Sequence, residues 1–194
     1  MSIALRCRCG QLRGQVDSAR VAARAVCYCK DCQAYGRFLD SGVLDAAGGT
    51  EVAATLPAAV RFDAGLEHLA CVSLDPKGLY RWYAGCCRTP VVNTPRDPRT
   101  SYVGLVRACL DATDAELDRA LGATRCRVET QSAQAKVASS GLSTAWAVCR
   151  IGTMILRARL GGGYRDNPFF RPQTSEPLKP VRVLSLEERK ALTP

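Results

Sequence analysis

Three cysteines within six residues constrain the fold of this chain more than any other feature of its sequence. Cys27, Cys29 and Cys32 lie in the segment CYCKDC, at spacings of two and three residues. If the backbone turns between them, their thiolates can converge on one tetrahedral metal ion, and zinc is the commonest such ion in a reducing compartment. A structural zinc takes four protein ligands, whereas a zinc held by three leaves a position for water or a substrate thiol. The segment therefore predicts a metal site that can support chemistry.

Clustered cysteines can also arise from core packing or from disulfide formation. The chain has eleven cysteines in 194 residues, and cysteine often serves as a small buried hydrophobic residue. Disulfides need an oxidising compartment, but residues 1–10 contain no apolar run of signal-peptide length. The odd cysteine count also favours metal binding over a disulfide framework. We therefore expect a cytoplasmic, metal-binding protein.

The overall charge and hydropathy exclude several broad classes of protein. The formal net charge of +9 attracts anions, but the basic residues are spread along the chain and aromatic residues are few. This pattern does not favour a dedicated nucleic-acid surface, which we rank as the weakest hypothesis. The most apolar stretch, Thr144–Leu160, is too short and contains too many arginines to span a bilayer.

The first half of the chain reads as short strands with cysteines at their ends. Ile3–Cys7 reads as a short strand, and apolar and polar residues alternate from Leu12 to Asp17, which predicts a hairpin with Cys7 and Cys9 at its turn. Val21–Cys27 reads as a strand that leads into the central triplet. Asp31–Phe38 predicts one or two helical turns. Between residues 43 and 106, β-favouring runs alternate with turn residues, which indicates a mostly antiparallel β architecture.

A second cysteine pair follows an aromatic strand. Cys86 and Cys87 come directly after the run RWYAG, and together with Cys7 and Cys9 they could close a long loop through one zinc ion. Adjacent cysteines seldom both bind one ion comfortably, so the sequence leaves open which of the two is a ligand. His68, the only histidine, is expected to be an ordinary strand residue.

The three cysteine segments, in this order, resemble the glutathione-dependent formaldehyde-activating enzyme and centromere protein V family. The elements are the CxCGxxRG motif from Cys7 to Gly14, the CxCxxC motif from Cys27 to Cys32, and an aromatic strand that runs into CxTP at Cys87–Pro90. The resemblance covers about residues 1–106. It implies a tent-like, β-rich fold with two zinc sites, and an enzyme that adds glutathione to formaldehyde.

The resemblance also implies roles for individual cysteines. It makes Cys7, Cys9 and Cys87 ligands of a structural zinc, and Cys27, Cys29 and Cys32 ligands of a catalytic zinc. In one position the chain departs from the family pattern, because Ala84 stands where the fourth structural cysteine belongs and Arg88 replaces the usual glycine. Either Cys86 substitutes from nearby, or the structural site is altered or empty.

Beyond residue 108 the pattern changes from strands to helices. Thr113–Glu116 is a capping box for a helix that ends at Gly122, and Gln131–Leu160 reads as one long helix or two. We expect its apolar face to pack within the chain, with homodimerisation as the alternative. The remaining isolated cysteines are expected to be packing residues; they are Cys71, Cys109, Cys126 and Cys149.

The fold class expected from these patterns is α+β, mainly antiparallel β, with a tent-like zinc-binding core and a C-terminal helical extension. Residues 1–108 form the predicted zinc-binding domain, 109–163 the helical extension, and 164–194 an extended arm over the surface with a helical turn near Leu186–Leu192. Lys30 and Arg37 are the basic residues expected nearest the triplet, where they could serve only as solvent-facing charge.

Two hypotheses for function follow. The first is a zinc-dependent carbon–sulfur lyase-type enzyme, a monomer or homodimer, that adds a small thiol such as glutathione to formaldehyde or a related electrophile. The second is a non-catalytic zinc module whose helical extension binds a protein partner or a second copy. The metal ligands named by the first are Cys7, Cys9, Cys27, Cys29, Cys32, Cys86 and Cys87.

Overall fold

Eleven short strands and four α-helices make up the regular structure of the computed structural model, which describes residues 1–193. The strands are β1 (Ser2–Arg6), β2 (Arg13–Asp17), β3 (Ala23–Cys27), β4 (Thr50–Thr55), β5 (Val60–Ala64), β6 (Leu69–Ser73), β7 (Tyr80–Ala84), β8 (Thr89–Thr94), β9 (Val103–Val106), β10 (Cys126–Val128) and β11 (Val181–Val183). The α-helices are α1 (Lys30–Leu39), α2 (Asp114–Leu121), α3 (Gly141–Leu160) and α4 (Leu186–Leu192).

The described strands form two sheets. A small sheet has the order β1-β2-β5, and a large sheet has the order β10-β3-β4-β9-β8-β7-β6-β11. All pairings are antiparallel except those of the two outermost strands, β10 with β3 and β11 with β6. The expected α+β class with mainly antiparallel strands is therefore confirmed.

Burial along the strands explains this arrangement. Every second residue of β1 is buried, as in a strand with one face on the core. All residues of β8 and β9 are buried, because they occupy the centre of the large sheet and are covered on both faces. Trp82 of β7 is the largest fully buried side chain, and its indole N–H donates to the Thr94 hydroxyl at 3.0 Å.

The helix boundaries in the described chain agree with the local sequence signals. Helix α1 confirms the helical turns predicted over Asp31–Phe38, and α4 confirms the predicted terminal turn. At α2 the Thr113 side chain accepts from the Glu116 amide while the Glu116 carboxylate accepts from the Thr113 amide, which is the predicted capping box.

The expected helix over Gln131–Leu160 is partly wrong, since α3 begins only at Gly141. The preceding segment uses its polar groups for tertiary contacts instead: the Gln134 amide donates to the Ala47 carbonyl at 2.9 Å, and Ser132 accepts from the Gln33 side chain at 2.7 Å. Ser139 and Ser140 are also weak helix formers. These contacts with α1 and with the loop before β4 hold the segment before Gly141 outside any α-helix.

Intramolecular packing of the apolar side chains of α3 was also predicted, and this is wrong for most of them. Ala147 is the one fully buried residue of the helix, whereas the Trp146 side chain is 60% exposed and Leu156 is 56% exposed. Helix α3 contacts the body of the protein with its opposite side, where Cys126 Sγ donates to the Ser143 carbonyl at 3.2 Å.

Residues 164–193 do more than lie over the surface. Phe169 and Phe170 are buried in the main core, and the Phe169 ring lies 5.4 Å from the Trp82 ring between centroids. Strand β11 then extends the large sheet, and α4 packs on α1, where the Arg37 guanidinium donates to the Leu192 carbonyl at 2.9 Å. Aromatic side chains therefore anchor a segment whose many prolines predicted only an extended path.

None of the helices in the described part of the chain combines the length and the apolar character that crossing a membrane requires.

Candidate metal centres

Four cysteines from two distant turns form one group of converging thiols, here called the four-thiol group. Cys7 and Cys9 lie between β1 and β2, and Cys86 and Cys87 follow β7. The Sγ–Sγ distances are 3.5 Å for Cys7 and Cys9, 3.9 Å for Cys7 and Cys86, and 3.3 Å for Cys9 and Cys86. The Sγ atom of Cys87 lies 3.9 Å from that of Cys86.

These separations fit a tetrahedral metal–thiolate site. With metal–sulfur bonds of about 2.3 Å, the edge of a regular tetrahedron of sulfur atoms is about 3.8 Å. The four thiols could therefore hold a metal ion. Cys86 and Cys87 both belong to the group, so the chain brings together a set of four sulfur atoms.

The turn that carries Cys86 and Cys87 depends on an unusual backbone conformation. The Ala84 carbonyl accepts from the amides of Cys87 at 3.3 Å and Arg88 at 2.7 Å, and Arg88 has a φ of 58°. Glycine adopts this left-handed region freely, whereas a residue with a side chain is strained there. In this chain the Arg88 guanidinium instead donates to the Phe38 carbonyl and lies 5.5 Å from the centre of the Phe38 ring, which fastens the turn to α1.

Hydrogen bonds join the two turns and favour a thiolate at Cys87. The Arg8 amide donates to the Thr89 hydroxyl at 3.0 Å, and the Arg8 guanidinium donates to the Cys87 carbonyl at 2.9 Å. Burial raises the pKa of Cys87, but hydrogen bonding with the Thr89 hydroxyl and with Cys9 outweighs burial and lowers that pKa to about 6. The group therefore contains a thiolate near neutral pH, as metal binding requires.

Cys27, Cys29 and Cys32 form a second group, here called the three-thiol group, where β3 meets α1. Cys27 is the last residue of β3, Cys29 is the N-cap of α1, and Cys32 lies in the first turn of that helix. The Cys29 sulfur accepts from the Cys32 amide at 3.3 Å. Helix N-termini favour negative charge, so this location suits thiolates.

The three-thiol group has no fourth protein ligand among residues 1–193. Its sulfur atoms lie within 4.8 Å of one another, and no further Cys, His, Asp or Glu of these residues completes the set. His68, the only histidine of the chain, lies elsewhere, in the single turn Leu66–His68 before β6, rather than in the strand as predicted. A metal ion bound here would therefore keep one coordination position for another molecule.

Arg81 is the charged partner of the three-thiol group. It is 2% exposed, and its Nη1 lies 3.9 Å from Cys32 Sγ and 3.3 Å from Asn93 Oδ1. The guanidinium also lies 5.2 Å from the centre of the Tyr35 ring. Hydrogen bonds from the Cys27 and Cys29 thiols, together with Arg81, lower the pKa of Cys32 to about 3.

Two other acidic groups at the site, the Cys27 thiol and the Tyr102 hydroxyl, have raised pKa values and stay neutral. Hydrogen bonding with Cys29 and Cys32 raises the pKa of Cys27, because a second thiolate would lie beside the first. Burial, with the negative charge of the neighbouring thiol group, raises the pKa of Tyr102 to about 12. The metal-free group therefore concentrates one negative charge on Cys32, opposite Arg81.

The C-terminal residues reach this site through an ion-pair chain. The Arg81 guanidinium is 4.0 Å from the Asp31 carboxylate, which is paired with Arg189 of α4 at 3.0 Å, and Arg189 also pairs with Asp75 at 3.0 Å. Sequence reasoning missed Arg81 and Arg189. The available signal was an arginine inside an otherwise aromatic strand. Lys30 is exposed, and Arg37 binds the Leu192 carbonyl, so neither contacts a thiol.

Three of the four isolated cysteines are packing residues, as predicted. Cys71, Cys109 and Cys126 are buried, and burial raises the pKa of Cys71 and of Cys109 to about 12. Cys149 is exposed on α3, so the prediction is wrong for this residue. All eleven cysteines are free thiols, seven of which belong to the two groups.

The fold and the two thiol groups define an α+β protein whose cysteine clusters could hold metal ions. The chain belongs to a family of unknown function, DUF6151, whose model matches residues 1–176. No curated protein matches the chain. The match includes every cysteine of both groups and Arg81, but it ends before α4 and Arg189.

Proposed function

We propose that the chain is a zinc-dependent carbon–sulfur lyase-type enzyme that adds a glutathione-like thiol to formaldehyde or a related small electrophile. The observation that carries this proposal is the difference between the two groups: one offers four thiols and the other only three. Thiolate sets of this kind favour zinc, and the four-to-three difference is that between a structural and a catalytic site. The resemblance to the formaldehyde-activating family supports the choice of substrates.

In this proposal the four-thiol group holds a structural zinc that joins the β1–β2 turn to the turn after β7. The three-thiol group holds the second zinc. A zinc ion held by these three cysteines would keep one position open and would favour the thiolate form of an incoming thiol, which is the more nucleophilic form. In the net reaction the substrate sulfur forms a bond to the formaldehyde carbon, the C=O bond becomes a C–O single bond, and the thiol proton is transferred to that oxygen.

The residues of the chain provide the charge balance for this reaction. Three thiolates exceed the charge of a zinc ion by one, and a substrate thiolate adds another negative charge. Arg81 is buried beside Cys32 and can offset this charge, while Asn93 fixes its guanidinium. A buried cation in this position favours an anionic fourth ligand over a neutral one. The net charge of +9 also suits a substrate with carboxylates, as glutathione has.

The proposal is tested by zinc stoichiometry and by formaldehyde consumption in the presence of glutathione. Wild-type protein is expected to contain two zinc ions and to consume formaldehyde faster than the spontaneous reaction. Cys29→Ser is expected to lose one zinc ion and the accelerated rate, whereas Cys149→Ser, at an exposed cysteine outside both groups, should lose neither. If Cys29→Ser retained both zinc ions and the full rate, the assignment would be wrong.

The exposed side of α3 favours a second candidate, a non-catalytic zinc module with a helical protein-interaction surface. Leu142, Trp146 and Leu160 are all more than half exposed, and such patches often mark binding sites. This alternative requires metal in the protein but no thiol-dependent acceleration. For either function we propose a cytoplasmic location, because a reducing compartment keeps free thiols available to metal.

A further inference from the structure

One side of α3 presents a regular row of exposed side chains, here called the outer stripe. Its members recur at alternating spacings of four and three residues and are all exposed; they are Leu142, Trp146, Cys149, Thr153, Leu156 and Leu160. This is the spacing by which one helix packs along another. With 20 residues the helix is about 30 Å long, so the outer stripe is long enough to contact several turns of a partner helix.

Two adjoining grooves run along the same side of α3. The first, of about 440 Å³, lies between α3, the start of β3 and the segment after α2, and the second, of about 630 Å³, lies between α3 and residues 19–22. Trp146 and Arg150 line both grooves. The surface is therefore concave beside the outer stripe, and a concave surface fits a helix better than it fits a flat bilayer.

The charge of this surface has one sign. Neither groove is lined by an aspartate or a glutamate, and α3 itself contains no acidic residue. Arg125, Arg150 and Arg157 line the grooves, and none of them forms an ion pair with a carboxylate of residues 1–193. Instead, Arg150 lies 4.6 Å from the centre of the Trp146 ring.

We infer that this surface binds an acidic amphipathic helix of a protein partner. Apolar side chains of that helix pack on Trp146 and the outer stripe, and its carboxylates pair with Arg150 and Arg157, which are seven residues apart and so lie on one side of α3. A second copy of α3 does not satisfy these charges, because its own arginines would meet arginines. This inference deepens the second candidate function and is independent of the enzymatic one.

The probe is a synthetic helical peptide of 21 residues with Leu at heptad positions a and d and Glu at positions e and g. Two matched peptides serve as controls: one with Lys in place of Glu, and one with the acidic composition in permuted order. Binding of labelled peptide to the full-length, metal-loaded protein is measured by fluorescence anisotropy. We expect a dissociation constant of about 1–10 µM for the acidic helix and at least about tenfold weaker binding of both controls.

Protein variants then locate the site. Arg150→Glu with Arg157→Glu is expected to lose acidic-peptide binding by about tenfold or more and to gain binding of the Lys peptide. Trp146→Ala should also weaken binding. The charge-matched control, Arg99→Glu with Arg171→Glu, changes exposed arginines outside both grooves and should bind as the wild type does. All variants should retain two zinc ions and the formaldehyde activity of the wild type, so this test and the test of the enzyme fail separately.

Several results would overturn the inference. One is equal binding of the ordered and permuted acidic peptides, which would indicate attraction by charge alone. Another is retention of the protein by vesicles that contain phosphatidylglycerol, lost in Trp146→Ala, without peptide binding, which would make the surface a lipid-binding one. A third is a concentration-dependent dimer that Trp146→Ala abolishes, since the surface would then bind a second copy.

Discussion

Arg81→Met tests whether the buried guanidinium strengthens metal binding at the three-thiol group. Methionine keeps an apolar side chain of similar length in the buried space but removes the charge that lies 3.9 Å from Cys32 Sγ. At this distance, with an effective dielectric constant of about 20, two unit charges interact by about 4 kcal/mol. This value is an upper limit, because the ligand charge is spread over three sulfurs and Asp31 lies 4.0 Å from the same guanidinium.

About one third to two thirds of that energy corresponds to a 10- to 100-fold change in affinity. We therefore expect Arg81→Met to weaken zinc binding at the three-thiol group by about 10- to 100-fold, the range typical for groups that support metal ligands. Arg81→Lys keeps a positive charge but loses the planar contacts with Asn93 and Tyr35, so its effect should be smaller.

A competing chromophoric chelator, titrated against the protein loaded with two zinc ions, measures both affinities in one experiment. The four-thiol group is the internal reference, because Arg81 contacts none of its cysteines among the described residues. Two results would refute the reasoning. One is unchanged affinity at the three-thiol group. The other is equal weakening of both sites, which would indicate general loss of stability instead of a local electrostatic effect.

Two further predictions concern the turn after β7. Arg88→Gly and Arg88→Ala both remove the guanidinium contacts with Phe38, but only glycine relieves the strain of the left-handed backbone at φ 58°. We therefore expect Arg88→Gly to be more stable than Arg88→Ala by about 1 kcal/mol, which corresponds to a melting temperature about 2–4 °C higher. A more stable alanine variant would contradict this. In metal-free protein the pKa of Cys87 is lowered to about 6, so this residue is a thiolate above that pH and becomes a thiol below it. Its alkylation by iodoacetamide, followed by peptide mass spectrometry, should slow as the pH falls through about 6 and stop when zinc is added, whereas a rate that keeps rising from pH 8 to 9 would show an ordinary thiol.

The antiparallel core and the three-thiol group could be predicted because their signals are local. Alternation gives the β1–β2 hairpin, a capping box gives α2, and the spacing of Cys27, Cys29 and Cys32 alone brings three thiols to one strand–helix junction. The four-thiol group needed more information. Its two turns are far apart in sequence, and only pairing within the folded chain shows that Cys86 and Cys87 both reach Cys7 and Cys9.

The residues that local signals missed are held by long-range contacts. The guanidinium of Arg81 lies beside Cys32 although 49 residues separate them, and Arg189 reaches Asp31 from 158 residues away. The start of α3 was predicted too early, since Ser132 bonds to Gln33 of α1 and Gln134 bonds to Ala47 in the loop before β4. The exposure of Trp146 and Leu156 could not be predicted either, because the spacing of apolar residues shows that a helix has an apolar face but not what covers that face.

The two parallel strands at the edges of the large sheet affect how the chain folds during its synthesis. β10 covers the free edge of β3, and β11 covers that of β6, yet both covering strands come from the second half of the sequence. During synthesis, both borders of the sheet therefore expose unpaired amides and carbonyls until residues 126–128 and then 181–183 have left the ribosome. Exposed edge strands pair with strands of other chains. Chains truncated before residue 181 are therefore expected to aggregate even though all seven cysteines of the two groups are already present.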